Sequence, residues 1–272
     1  MQVIGIIPAR YGSSRFPGKA LAMLNGAPLI QHVYEQARAA TRLDDVIVAT
    51  DDERIVQAVA RFGGTALMTS PTHRSGTDRI AEVARQRDAQ VILNIQGDEP
   101  LIVPSQLDQV AEFLLAHRAV PMATLMTRIT HDEDVNNPHV VKVVVDQDGY
   151  ALYFSRAPIP HVRTQEGSRL KAQGSRQGQL PPASSLQPPA CFKHIGVYGY
   201  QREFLLRFPH LAPTPLEQLE QLEQLRALEH GYTIKVLETP SDTIGVDTPD
   251  DLQRVEATLQ KTEVRRQRSD VF

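Results

Sequence analysis

Between Ala9 and Gly18 the chain places two glycines, two serines and a proline, and Arg10, Arg15 and Lys19 put three cations within ten residues. Glycines let backbone N–H groups approach an anion, serine hydroxyls donate to its oxygens, and fixed cations neutralise charge that grows as a phosphoryl or nucleotidyl group moves. The other reading of this stretch is a solvated turn between a strand and a helix, with cations kept for solubility. The stretch is not a P-loop, because Ala20 follows Lys19 where Ser or Thr is required, and the chain has no GxGxxG. Two carboxylates stand in comparable contexts. Asp98 lies in GDEP just past an apolar run, and Asp247 lies in GVDTP. Hard oxygen ligands of this kind suit Mg²⁺, which takes one or two protein carboxylates and leaves its other positions to phosphate and water. Asp247 has a second reading, as the N-cap of the helix that Pro249 opens.

Positioning these groups requires a sheet with an open edge. Val3, Ile4, Ile6 and Ile7 form a short β-branched run ending at Pro8, and Val46–Ala49, Ala66–Met68 and Val91–Ile95 are similar. Helical patterns alternate with them, led by Pro28, by Asp51 or Asp52, by about Thr77 and by Pro104. That alternation marks βαβ units and a parallel sheet, which bind ligands at the carboxyl ends of their strands. The four segments leaving those ends are all polar: Pro8–Lys19, Thr50–Asp52, HRSGTDR at 73 to 79 and QGDEP at 96 to 100. Helix capping by Ser75, Thr77 or Asp78 is the alternative reading of the third.

After Pro104–Arg118 the pattern changes. Met122–Ile129, Val140–Asp146 and Tyr150–Phe154 read as strands, with Asp148-Gly149 as a hairpin turn. Residues 163–190 hold few large apolar side chains and many Gly, Ser, Gln and Pro, so we expect a loosely attached, disordered insertion. A strand over Ile195–Tyr200 and a helix near Arg202–Arg207 follow. Leu216, Leu219, Leu222, Leu225 and Leu228 recur every third residue, which predicts one helix over 215–230 whose leucines wrap around it, buried by its own core and by a second subunit. Thr233–Leu237 is a last strand. A closing helix capped by Asp247 or Thr248 and a frayed basic tail complete the chain.

The 272 residues suffice for one large α/β domain or two small ones, and 41% hydrophobic with 22% charged residues is ordinary for a globular chain. A formal charge of −3 argues against binding nucleic acid through bulk electrostatics. The single cysteine, Cys191, cannot pair within the chain, and no apolar run approaches a membrane span, so a cytoplasmic protein without membrane insertion is expected.

IPARYGSSRFPGK at 7 to 19 resembles the N-terminal signature of the cytidylyltransferases that activate 3-deoxy-manno-octulosonate (KDO). The similarity continues in order through ATDDE, HRSGTDR, NIQGDEP, NNPHVVKVV, GYALYFSRAPIP, KHIGVYGY, PLEQLEQLEQLR and GVDTPDDL, covering nearly the whole chain. The resemblance implies a GT-A-like, Rossmann-like nucleotidyltransferase fold of class α/β, with a mixed, mostly parallel sheet flanked by helices. It implies a single domain over 1–262, a sugar-binding and dimerisation subdomain over about 120–210 that contains the insertion, and a tail over 263–272. The implied reaction joins CTP and KDO into CMP-KDO and diphosphate with Mg²⁺, in a homodimer, for lipopolysaccharide synthesis. Carried over by motif, Pro8, Ala9, Arg10, Ser14, Arg15 and Lys19 hold CTP, while Arg74, Ser75 and Gly76 read the cytosine. Arg15, Lys19 and Asp98 act in catalysis, and Asp98 with Asp247 binds metal. Gln96, Arg156, His194, Tyr198, Glu217 and Glu220 surround the sugar acid, Arg156 as the natural partner of its carboxylate. Read without the resemblance, Tyr198 is a packed aromatic, His194 a surface residue and Glu217 a solvated helix charge. The insertion is longer and more polar than the family pattern, which leaves open 8-amino-KDO or a sialic acid as acceptor. A nucleotide-binding protein without turnover is the alternative from another class.

Overall fold

The structure is a computed structural model that describes residues 1–12, 16–161 and 191–269, with side chains through residue 260. Ser14, Arg15 and the insertion at 163–190 therefore lie outside the described residues. In chain order the elements are β1 (Val3–Ala9), β2 (Met23–Leu24), β3 (Ala27–Pro28), α1 (Leu29–Arg38), β4 (Asp45–Thr50), α2 (Glu53–Arg61), β5 (Ala66–Met68), α3 (Gly76–Arg85), β6 (Val91–Asn94) and α4 (Pro104–Ala116). They continue with β7 (Met122–Arg128), α5 (Asp132–Asn136), β8 (Lys142–Val145), β9 (Ala151–Ser155), β10 (Phe192–Gln201), α6 (Arg202–Arg207), α7 (Pro215–Glu220), α8 (Gln224–Glu229), β11 (Ile234–Glu238) and α9 (Pro249–Ser269).

The central sheet runs β11-β7-β10-β6-β1-β4-β5. β1 lies parallel to β4 and β6, and β4 parallel to β5, as the βαβ pattern predicts. β10 then enters antiparallel between β6 and β7, so the sheet is mixed. β8 and β9 form a hairpin attached to β10. β1 is buried on both faces because its alternate residues feed two cores. Val3 and Ile7 pack with Ile30, Val33, Ile55, Leu107 and Val110 from α1, α2 and α4. Ile4 and Ile6 pack with Ile80, Val83, Phe204 and Leu225 from α3, α6 and α8. Two helical layers thus sandwich the sheet. A smaller cluster of Leu24, Leu29, Val246 and Val255 fastens α9 beside α1.

Three local expectations are corrected. The first strand does not stop at Pro8 but continues to Ala9, because pairing with β6 ends at Ile6 and the missing N–H of Pro8 breaks no bond on that side. The helix expected over 215–230 is two helices. Gln221 turns left-handed at φ 54° and separates α7 from α8, so the leucines do not wrap one cylinder. Leu222 and Leu225 enter the core while Leu219 is 80% exposed. The tail expected to fray after residue 262 continues α9 to Ser269.

Candidate functional site

The polar segments that leave β1 and β6 and the start of α3 meet over one cleft of about 470 Å³. Pro8, Ala9, Arg10 and Lys19 line it from the β1 side, Gln96, Gly97 and Asp98 from the β6 side, Gly76 from α3, and Asp247 from the segment before α9. Close approach of backbones makes the convergence possible. A Cβ on Gly97 would stand 3.0 Å from the Pro8 carbonyl oxygen, so only glycine lets these two strand ends touch. Gly18 takes φ 72°, donates its N–H to Tyr11 O at 2.9 Å, and thereby turns the chain so that Lys19 points back into the cleft. The Lys19 ammonium is 2.6 Å from Asp98 Oδ2 and 3.2 Å from Asp247 Oδ1. Val246 N donates to Asp98 O at 2.8 Å, which holds the two acidic segments side by side.

Two carboxylates aimed at one cation from different elements fit a divalent metal. Among the described residues no three Asp, Glu, His or Cys side chains gather as a complete metal cage. The capping reading of Asp247 does not hold. Thr248 is the cap: its hydroxyl accepts from Asp251 N at 3.3 Å, and Asp251 Oδ2 accepts from Thr248 N at 3.0 Å. Asp247 presents its carboxylate to Lys19.

At α3 the capping reading does hold for Ser75, whose Oγ accepts from Asp78 N at 3.1 Å while Asp78 Oδ2 accepts from Ser75 N at 3.2 Å. Of the three residues assigned there to cytosine, Gly76 lines the cleft and Arg74 lines a separate surface depression with Thr72 and Pro209. Sequence reasoning missed Arg79. Its guanidinium is fully buried in the cleft wall, donates to Asp51 Oδ2 at 2.6 Å and to the Thr69 hydroxyl, and so ties the ends of β4 and β5 to α3. The available signal was its place one helical turn after Gly76, on the same face.

The residues assigned to the sugar acid fall into separate groups. Gln96 lines the cleft and donates to Asn94 Oδ1 at 3.3 Å. Arg156 gives its Nε to Glu220 O at 2.8 Å and its Nη1 to Pro138 O at 3.0 Å. Burial raises the pKa of the Glu220 carboxyl, but hydrogen bonds from Arg156 N, Ser155 and Tyr153 outweigh it, and the net shift is downward. Glu217 accepts from Thr214 N at 3.2 Å, completing the cap of α7, and is paired with Arg226 of α8. His194 and Tyr198 pack together on β10 with ring centroids 5.2 Å apart. Burial pushes His194 down to about 3 and Tyr198 upward, so both are neutral. Sequence reasoning also missed Glu99 beside Asp98, pushed up to about 7 by burial and by the Asp98 charge.

A mixed α/β sheet with phosphate-type loops and paired carboxylates at the carboxyl ends of its strands defines a nucleotidyltransferase of Rossmann-like fold. The chain belongs to the cytidylyltransferase family, whose model matches residues 4–235. A curated relative from Geobacter metallireducens, a 3-deoxy-manno-octulosonate cytidylyltransferase, is 50% identical over 264 residues, covering 97% of this chain and all of its own. A solved CMP:2-keto-3-deoxy-manno-octonic acid synthetase complexed with CTP superimposes with a TM-score of 0.84 at 40% identity, over 96% of this chain and all of that one. A cytidylyltransferase from Leptospira borgpetersenii, at 15% identity and TM-score 0.59 over 96% of this chain and 87% of its own, shares the fold. The family named from the motifs is thus the family of the relatives.

Proposed function

We propose that the protein transfers CMP from CTP to KDO, giving CMP-KDO and diphosphate. The observation that carries this reading is Lys19 held between Asp98 and Asp247 at the carboxyl edge of the sheet, in a chain half identical to enzymes of that name throughout its length. No protein nucleophile is needed. The anomeric hydroxyl of KDO attacks the α-phosphorus of CTP, a new P–O bond forms there as the hydroxyl proton passes to solvent, and the bond to the β-phosphate oxygen breaks as diphosphate leaves. Arg10 and Lys19, both in the cleft wall, stabilise the charge that accumulates on the phosphate oxygens. Pro8, Ala9 and Gly76 shape the nucleotide side. Asp98 and Asp247 would hold Mg²⁺, which would supply Lewis-acid charge to the triphosphate.

Gln96 lines the cleft, and this reading assigns it, with Arg156, His194, Tyr198 and Glu220, to the acceptor sugar acid. The neutral state of His194 and Tyr198 suits hydroxyl recognition. The reading extends to a homodimer, which sedimentation of the full chain tests. No helix among the described residues is long and apolar enough to cross a membrane, and the reading places the protein in the cytoplasm because it uses CTP. Incubation with CTP, KDO and Mg²⁺ is expected to release diphosphate and form CMP-KDO. Absence of diphosphate, or turnover only with UTP or with a sugar 1-phosphate, rejects the proposal, and preference for 8-amino-KDO or a sialic acid changes the acceptor.

A further inference from the structure

Thr124 lies in the middle of β7, fully buried, where β10 changes register between Ile195 and Tyr198. The bulge turns two β10 carbonyls toward one hydroxyl: Thr124 Oγ1 is 2.7 Å from Val197 O and 3.2 Å from Ile195 O. It is also 2.9 Å from His194 Nε2. A hydroxyl carries one hydrogen, and carbonyl oxygens only accept. An oxygen held 2.7 Å from a carbonyl oxygen donates to it, since lone pairs facing each other at that distance repel. The remaining partner must then be the donor. His194 Nε2 carries the hydrogen, and in a neutral ring Nδ1 does not.

His194 Nδ1 has no hydrogen-bond partner among the described residues, nor is it among the buried polar atoms sealed off without one. It is left without a protein partner among the described residues. Under the proposed function the ring belongs to the acceptor sugar-acid site. Gly196, two residues along β10, has no side chain there, and a Cβ at that position would lie 3.5 Å from Gln96 Cγ and 2.6 Å from Glu99 Oε1. Phe154 meets the ring edge-on at 5.2 Å and Tyr198 packs against it, so the ring has little freedom to turn over. Burial keeps it uncharged across the physiological range.

We infer that Thr124 is a positioning residue: it fixes His194 as the Nε2–H tautomer, so that the bare Nδ1 accepts a hydrogen from a hydroxyl of the acceptor sugar acid. This rests on the proposed reaction for the identity of the acceptor and on the hydrogen-bond geometry alone for the tautomer. The result is a selective recognition element. A bare Nδ1 accepts from a hydroxyl and offers nothing to a carboxylate, which separates hydroxyl recognition from carboxylate recognition in one pocket.

The test is ¹⁵N NMR of the full chain labelled at histidine, with His194→Gln to assign the signal, combined with steady-state kinetics. Wild type and Thr124→Ser are expected to show His194 with protonated Nε2 and bare Nδ1, and the Nδ1 signal should move on addition of KDO. Thr124→Val should lose the single tautomer and raise KM for KDO by about tenfold, the scale of one hydrogen bond, with KM for CTP unchanged and with recovery in Thr124→Ser. An Nδ1–H tautomer in the wild type overturns the inference, as does a folded Thr124→Val with unchanged KM for KDO. Should Thr124→Val not fold, an Nδ1 signal in the wild type that ignores KDO overturns it. Absence of any CMP transfer to KDO removes the proposed reaction instead, and an Nε2–H spectrum then still supports the part of the inference that assigns Thr124 its hold on His194.

Discussion

Lys19 touches two carboxylates at once, and the balance of that cluster decides what each substitution does. Asp98→Asn and Asp247→Asn nearly preserve shape and remove one negative charge each. Both are expected to lower turnover by about 10²–10³, the scale for deleting one preorganised electrostatic element at a reacting phosphate. Thermal melts of Asp247→Asn should match the wild type, because this carboxylate is half-exposed and the cap of α9 is Thr248. Thr248→Ala should do the reverse, costing about 1 kcal/mol of stability as a lost helix cap and leaving Mg²⁺ dependence intact. Wild-type turnover in Asp247→Asn across a Mg²⁺ titration would leave Asp98 as the one supported ligand. Lys19, Asp98 and Asp247 were legible in the sequence because each sits in a short segment whose residue types already suit phosphate or metal. Arg79 and Thr124 were not, because both are buried polar groups. Their partners, Asp51, Thr69 and His194, come from other segments of the chain, and no local spacing announces them.

Helices and strands were easiest to read where one period dominated. α1 and α4 bury residues at helical spacing, Leu29, Ile30, Val33, Tyr34 and Ala37 in the one and Leu107, Val110, Ala111 and Leu114 in the other. The period-three leucines misled because the left-handed Gln221 resets the rotation between α7 and α8, and a backbone dihedral leaves no apolar signature. Glu217 and Arg226 bridge the break, and Arg226 also lies over the Phe208 ring at 5.1 Å. The consequence can be measured leucine by leucine. Leu225→Ala empties a fully buried site and should cost about 2–5 kcal/mol in denaturant unfolding, whereas Leu219→Ala, 80% exposed, should stay within about 0.5 kcal/mol. Equal losses at the two positions would restore a single wrapped helix. The antiparallel placement of β10 was equally invisible. Its apolar pattern suits a buried strand of either direction, and only pairing with β6 and β7 fixes which.

One sheet carries the whole molecule, and two of its shifted titratable groups, His194 and Glu99, lie on either side of the β6–β10 junction with opposite responses to pH. His194 is pushed down to about 3 by burial first and by the Lys193 charge second. Glu99 is pushed up to about 7 by burial first and by Asp98 second, against the pull of Thr243 and Lys193. The unfolded chain takes a proton at His194 below its ordinary value of 6.5 and the folded protein refuses it, so this contribution to stability falls as pH drops from 6.5 toward 3. The folded protein keeps a proton at Glu99 that the unfolded chain releases above 4.5, so this contribution is full at low pH and falls as pH rises toward 7. Between those limits the two slopes oppose each other, each amounting to about 1.4 kcal/mol per pH unit for one proton. Carboxyls held below their ordinary values, such as Glu82, Glu220 and Asp251, act lower on the pH scale and are common to any pair of variants compared. Glu99→Gln removes one slope and leaves the other. In chelator-treated buffer, the unfolding free energy of Glu99→Gln relative to wild type is therefore expected to rise steadily from about pH 4.5 to about pH 7 and to level off above. A constant difference across that range would mean that Glu99 titrates in the folded protein as it does in the unfolded chain, and would reject the assignment of a buried, proton-holding carboxyl next to Asp98.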